Sequence, residues 1–356
     1  MEQHELNSKK YQISGWAIIR CLMLYIALGG GASAWGYDCT TIASGNWSSS
    51  AIWGNCGFLR TPGSGDTVTI DGDTVTLNTS PTVASLTVNG GTLRRNSNTS
   101  RSLTVSGAFI NNGSVTDLAN NGTFSIAVGG SLTNNGSATL SVDNLTVAGN
   151  VISSGALTVD SAMAVGGDLA VSGGAFSTAD LTFQKSGTQS AVFSPSSTSI
   201  VGNLMVNNGS TVFSDAWSAF QITGDLTNNG NLSLTNTTVT FSGSAIQSID
   251  GNKDATLGFL VLNGAGISMS RNVTASKLTL TKGDVATGIN SLNVSGTYCS
   301  EGAITGGSAS SHVVGNLRLK FPHYATTCVY PVGDGAVYAP ITVEIPWFSN
   351  VAAMKD

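Results

Sequence analysis

The chain has 356 residues, of which 44 are glycine, 10% are charged and 7% aromatic, and its formal net charge is −5. An acidic balance argues against a nucleic-acid partner. Recurring Leu, Val and Ile throughout argue against the disorder that low charge with abundant Gly, Ser, Thr and Asn would otherwise suggest.

Residues 1–34 read as a secretory signal peptide: Lys9, Lys10 and Arg20 precede the apolar run Cys21–Leu28, and Ala32-Ser33-Ala34 supplies a small-residue cleavage site. Cleavage after Ala34 makes Trp35 the first residue, removes three basic and two acidic side chains, and moves the net charge from −5 to −6. The apolar run is too short to span a bilayer. No later segment could cross one as a helix, so the mature chain is expected to be secreted or held on the outer cell surface.

Four cysteines remain in the mature chain as two local couples, Cys39 with Cys56 and Cys299 with Cys328. In an oxidising compartment they read as two disulfides that pin the ends of the repeat region. Three pairings are open, and the local one closes the shortest loops. Separations of 17 and 29 residues are far from the close spacing of zinc knuckles.

Residues 35–95 form a Trp-bearing head, with Trp47 and Trp53 beside strand-like segments at Thr67–Ile70, Thr74–Leu77 and Ser85–Val88. The first coil of a solenoid exposes its core, so the Trp residues read as a cap rather than as an exposed carbohydrate platform. Asp66, Asp71 and Asp73 are the one close acidic trio. Asp71-Gly72-Asp73 reads as a hairpin-like turn that offers too few oxygens for Ca²⁺.

Residues 96–300 carry the repeats. The phrase Leu145-Thr146-Val147 returns as Leu157-Thr158-Val159, Leu169-Ala170-Val171 and Leu181-Thr182-Phe183, every 12 residues, with Val151, Met163 and Ala175 halfway between. Alternation at period two places Leu and Val on one face of a short strand and Thr on the other, and the following Gly frees the backbone to turn. The pattern predicts an all-β chain, a parallel β-helix (β-solenoid), right-handed, with about 15 coils of about 20 residues less the caps. The six-residue sub-period raises a left-handed hexapeptide solenoid as the rival, which coils of unequal length would exclude.

Asn-Asn-Gly recurs at 111–113, 120–122, 134–136, 207–209 and 228–230, where corners are expected. Stacked Asn side chains could form hydrogen-bonded ladders there. The N-x-S/T sequons at the same corners, such as Asn112-Gly113-Ser114, follow from composition more readily than from glycosylation. Phe213, Trp217 and Phe220 form the aromatic cluster of the middle coils and read as a core plug in preference to a ligand platform.

Asn46-Trp47, Trp53, Pro62-Gly63, Gly65-Asp66, Val68, Ile70, Gly72, Val75, Leu77, Leu86 and Val88 together resemble the N-terminal region of large bacterial secreted β-strand-repeat proteins, and are similar to the G8-type module. Asn55-Cys56-Gly57-Phe58-Leu59-Arg60 departs from that pattern, where a short glycine-rich link would stand. Residues 245–345 resemble the closing part of the same adhesin-like proteins, from Leu260-Val261-Leu262 to Tyr330-Pro331-Val332-Gly333. The resemblance implies further β-domains after the Pro-Val-Gly segment, so residues 301–356 read as a C-terminal β segment of a longer protein.

Parallel β-helices include polysaccharide lyases and hydrolases, whose sites need clustered carboxylates with Lys, Arg or His on successive coils. Here the acidic residues are spread nearly singly, and the mature chain has only His312 and His323. No G-x-S-x-G, H-E-x-x-H or phosphate-binding loop is present. The sequence therefore points to an adhesin-like or structural surface protein with no catalytic residue, cofactor or metal, and with surface glycans or a neighbouring cell surface as partner; a carbohydrate-active β-helix is the alternative.

Overall fold

A computed structural model describes residues 36–346, apart from 120, 195–198, 215–216 and 323–324. The signal peptide read at 1–34, Trp35, His323 and the stretch from 347 onward lie outside the described residues.

Alternation builds the strands, and its interruptions build the corners. In the strand Thr139–Val147, Leu140, Val142, Leu145 and Val147 are buried while the residues between them face outward. The phase resets at Asp143-Asn144, two consecutive outward residues, where the chain turns a corner. The same reset recurs in Phe176–Phe183, whereas in Ala156–Val165 three outward residues, Asp160-Ser161-Ala162, make the corner and leave the phase unchanged. Each strand pairs in parallel with its counterpart one coil away, and about 12 such coils stack into a parallel β-solenoid.

Stacked columns of side chains fill the core, and three of them, one from each side of the coil, trace the winding. One runs in unbroken register through Leu103, Ile126, Leu145, Met163, Leu181, Leu204, Leu226, Ile249 and Met269. The second holds Leu86, Phe109, Leu132, Val151, Leu169 and Ala191. The third holds Val75, Leu93, Val115, Leu140, Leu157 and Phe176. All of these residues are buried.

The columns correct the repeat as it reads along the sequence. Leu145 stacks on Met163, and Met163 on Leu181. The regular coil therefore has 18 residues, the same separation that sets the Asp168 N–H against the Asn150 side chain one coil away. Each of its three sides takes six, so the recurring Leu-Thr-Val phrase has moved on by two sides at every return. Leu145, Leu157 and Leu169 thus stand in three different columns. Phe176, and not Ala175, stacks on Leu157, because one extra residue enters at that corner. Coil length is not uniform: Asn150 and Asp168 are 18 residues apart, whereas Asp180 and Asn203, paired one coil on, are 23 apart. That inequality excludes the uniform hexapeptide solenoid.

Asn-Asn-Gly corners support the stack from inside and outside. At 111, 134 and 228 the first Asn is buried: Asn111 Nδ2 donates to Asn134 Oδ1 at 2.8 Å, and Asn134 Nδ2 to the buried Ser153 Oγ at 3.1 Å, whereas Asn207 is half-buried. The second Asn points outward, Asn135 Nδ2 donating to Asn112 Oδ1 at 2.6 Å. The Gly serves two separate needs. Gly136 and Gly209 adopt positive φ, whereas at Gly113 and Gly230 a Cβ would come within 2.3 Å of a carbonyl oxygen on the coil beneath.

At the start, Asp38–Thr41 pairs in parallel with Thr67–Asp71 on one side and antiparallel with Trp53–Gly54 on the other. Asp71-Gly72-Asp73 is a solenoid corner, not a hairpin: Thr67–Asp71 and Thr74–Thr76 both pair in parallel with Ser85–Arg95. Near the other end Val313–Lys320 stacks on Val273–Tyr298, and Thr326–Tyr330 pairs antiparallel with Ile341–Ile345 in a separate two-stranded sheet.

Replacing Asn134 with Ala removes the middle of the inner ladder, with its buried bonds to Asn111, Ser153 Oγ and the Ala156 carbonyl. The change is expected to cost about 2 kcal/mol in urea unfolding, whereas Asn135→Ala, at the exposed position next door, should cost less than about 0.5 kcal/mol.

Candidate functional site

Four constellations could carry chemistry. The first is the head. Trp47 and Trp53 are both buried and meet edge to face at 5.0 Å, with Trp53 Nε1 donating to the Trp47 carbonyl at 2.9 Å. They seal the first coil and offer no face to a sugar. Cys39 and Cys56 lie beside them at disulfide distance, with a Cα separation of 4.4 Å, as do Cys299 and Cys328 at 5.4 Å.

Cys39, Cys56 and Asp66 form the one cluster of potential metal ligands found among the described residues. Its thiols are joined to each other, and its carboxylate is occupied. Asp66 Oδ1 accepts the Tyr37 N–H at 2.9 Å, and Oδ2 accepts the Gly63 N–H at 2.6 Å and the Arg60 guanidinium at 2.5 Å. Burial alone would raise the Asp66 pKa. The two backbone donors and Arg60 outweigh it and hold the carboxyl below its ordinary 3.8. Asp71 and Asp73 belong elsewhere, accepting from Asn89 and Ser44 on adjoining turns of the chain.

The loop from Asn55 to Arg60, which departs from the G8-like pattern, holds two non-glycine residues at positive φ, Asn55 at 57° and Leu59 at 49°. It lifts Phe58 and Leu59 into solvent, 93% and 76% exposed, and lays Arg60 over the Tyr37 ring.

The second constellation escaped sequence reading because its members stand on separate coils, Asp117 coming 22 residues after Arg95 and Asp143 a further coil on. Arg95, fully buried, donates to both oxygens of Asp117, at 2.9 and 2.5 Å, and lies 3.9 Å from Asp143. Burial raises the Asp143 pKa and the neighbouring Asp117 raises it further. Asp117 is held low because Arg95 and the Ala119 N–H outweigh its own burial. Two carboxylates driven apart in this way are the usual sign of an acid and base pair. Here the cation is saturated instead, since Arg95 also donates to the carbonyls of Ser97, Asn121 and Gly122. Asp143 Oδ2 meanwhile accepts the Phe124 N–H at 2.5 Å. The cluster fastens two protruding corners together.

The third is a His–Asp pair that sequence reading passed over. His312, 1% exposed, sets Nδ1 3.1 Å from Asp284 Oδ1, and its own N–H donates to the same oxygen at 3.0 Å. Its Nε2 is buried with no hydrogen-bond partner among the described residues, so no nucleophile completes a relay there. Nearby, the Ser311 hydroxyl donates to the Gly283 carbonyl at 2.8 Å.

The fourth overturns part of the plug reading at Phe213, Trp217 and Phe220. Phe220 is a plug: it is 4% exposed and packs at 4.8 Å against Phe193, which packs in turn against Phe176. Phe213 is half-buried on the strand Ser210–Phe213. Trp217 is not core. It is 71% exposed and lies nearly parallel to Phe259, ring centres 5.6 Å apart and planes inclined by 11°. The reason is strand phase, for Ser218 takes the inward position, buried, with its hydroxyl 2.8 Å from that of Thr237.

No family model, curated protein or solved structure matches the chain. No helix among the described residues is long and apolar enough to cross a membrane.

Two measurements check these assignments. Phe220→Ala should cost about 3 to 5 kcal/mol, as expected for emptying a packed aromatic site, whereas Trp217→Ala should cost no more than about 1.5 kcal/mol, the worth of one exposed ring pair. Asp66→Asn should cost about 2 kcal/mol at neutral pH. Because the folded pKa of Asp66 is lowered, its stabilisation is present above the ordinary 3.8 and is lost as pH falls through the folded value. The wild-type and Asp66→Asn unfolding curves should therefore converge below pH 3.8.

Proposed function

We propose that the chain is a secreted, cell-surface β-solenoid of adhesin-like or structural type, which presents an extended binding surface and carries out no catalysis. The observation that carries this reading is the use the fold makes of its carboxylates. Oxygens of Asp66, Asp143, Asp168, Asp225, Asp254 and Asp284 each accept a backbone N–H from an adjoining coil. Asp180 accepts from Asn203, and Asp250 from Ser270, one coil on. A polysaccharide-cleaving β-helix needs such groups displayed toward a substrate, and here they hold the stack together.

The remaining surface is dominated by Ser, Thr and Asn. One open depression, about 730 Å³, is lined by Asn208, Asn229, Asn231 and Asn252 together with Lys253 and Asp254. The two cysteine pairs support an oxidising compartment. The G8-like order of residues in the head and the Pro-Val-Gly segment support kinship with large secreted β-strand-repeat proteins.

The full chain carrying an internal epitope tag, expressed in a bacterial host, should be exported with its new N-terminus at Trp35 and be reachable by antibody on intact cells. Retention in the cytoplasm with residues 1–34 still attached would overturn the reading.

A further inference from the structure

We propose that Trp217, backed by Phe259, forms a stacking site for a pyranose ring of a neutral polysaccharide, an inference that rests on the reading of the chain as a surface solenoid. The geometry begins with register. Ala219 pairs with Thr238, Thr238 with Phe259, and Phe259 with Lys277, four outward positions on successive coils of one side. Trp217 stands beside the first of these and stacks on the third, so its ring reaches across the coil that carries Thr238.

A large aromatic ring left 71% exposed forgoes the burial that would ordinarily stabilise it. Phe259 lies against one face of the indole, the two ring planes inclined to each other by only 11° and their centres 5.6 Å apart. The result is an indole backed by a half-buried ring, whose exposed remainder is an apolar surface about the size of one sugar ring. Sugar rings have an apolar face of C–H groups that packs on such a surface, and hydroxyls around the edge that need donors and acceptors.

The edge groups are present. On the same side, Gln221 pairs with Thr240, Thr240 with Val261, and Val261 with Thr279, a row next to the aromatic one. Gln221 is exposed and both threonines are half-buried. With Thr238 and the Lys277 ammonium they supply hydroxyl, amide and one cationic donor, and no carboxylate stands among these outward positions. An apolar platform with a few convergent polar groups is the ordinary composition of a small-molecule site. The predominance of uncharged donors over a single cation favours a neutral chain over a polyanionic one. A linear neutral polysaccharide lying along the stack would place one ring over Trp217.

The test is affinity electrophoresis of the full chain in native gels cast with β-glucan, xylan, galactomannan or alginate, alongside Trp217→Ala and Trp217→Phe, with circular dichroism to confirm that both variants fold. Retardation by at least one neutral polysaccharide is expected, weakened at least tenfold in Trp217→Ala and largely kept in Trp217→Phe, together with a blue shift of tryptophan emission on adding the soluble polymer to the wild type. Retardation by none of the four, retardation by alginate alone, or equal retardation of wild type and Trp217→Ala would overturn the proposal. These outcomes are independent of export: a chain that reaches the cell surface but ignores polysaccharides refutes this site and leaves the surface reading intact.

Discussion

Parallel register between coils is the constraint on which the whole molecule depends. Once Leu145 lies over Ile126 and under Met163, every neighbouring residue in those strands has a fixed partner, and a slip by one position would turn the core outward. That register lets aliphatic side chains, with Phe109 and Phe176 among them, stack in straight narrow columns. It also explains why the corners can vary in length while the columns remain straight. Insertions enter between columns, as in the longer step from Leu181 to Leu204, and leave the stacking untouched.

The same constraint governs the polar groups. A corner breaks alternation and leaves backbone N–H groups that the strand ladder no longer satisfies, and each must find an acceptor. Asn, Ser and Asp side chains on the adjoining coil provide it, as where Ser131, Asn150 and Asp168 in succession accept the N–H of Asn150, Asp168 and Ser190. A chain with only 10% charged residues thus employs much of its acidity in its own architecture. Arg95 is the extreme case, a buried guanidinium whose donors are all directed at two carboxylates and corner carbonyls.

Much of this was legible in one dimension. Alternation located the strands, and the paired Trp in the head signalled burial. The Asn-Asn-Gly runs signalled corners and their ladders. What one dimension concealed was phase. The recurring phrase spans two sides of a coil that has three, so the louder repeat in the sequence was not the spatial one. Trp217 and Phe220 are close neighbours and chemically alike, yet Ser218 sets the strand phase that sends one outward and the other inward. Asp71-Gly72-Asp73 has the residues of a hairpin turn, and only the parallel partner Ser85–Arg95 shows that the chain turns a solenoid corner there. Arg95, Asp117 and Asp143 were invisible as a group because coil length, which brings them together, is itself irregular.

The ladders between coils run along the axis of the stack, so each coil is bound to its neighbours by hydrogen bonds parallel to that axis. Tension applied along it would therefore load one interface at a time, as when a zip is opened, instead of shearing many bonds together. Such a stack would lengthen in a series of small steps, each releasing a coil of about twenty residues while the rest stays folded. A stack built in this way would yield gradually under a sudden pull and rewind coil by coil once the load was removed.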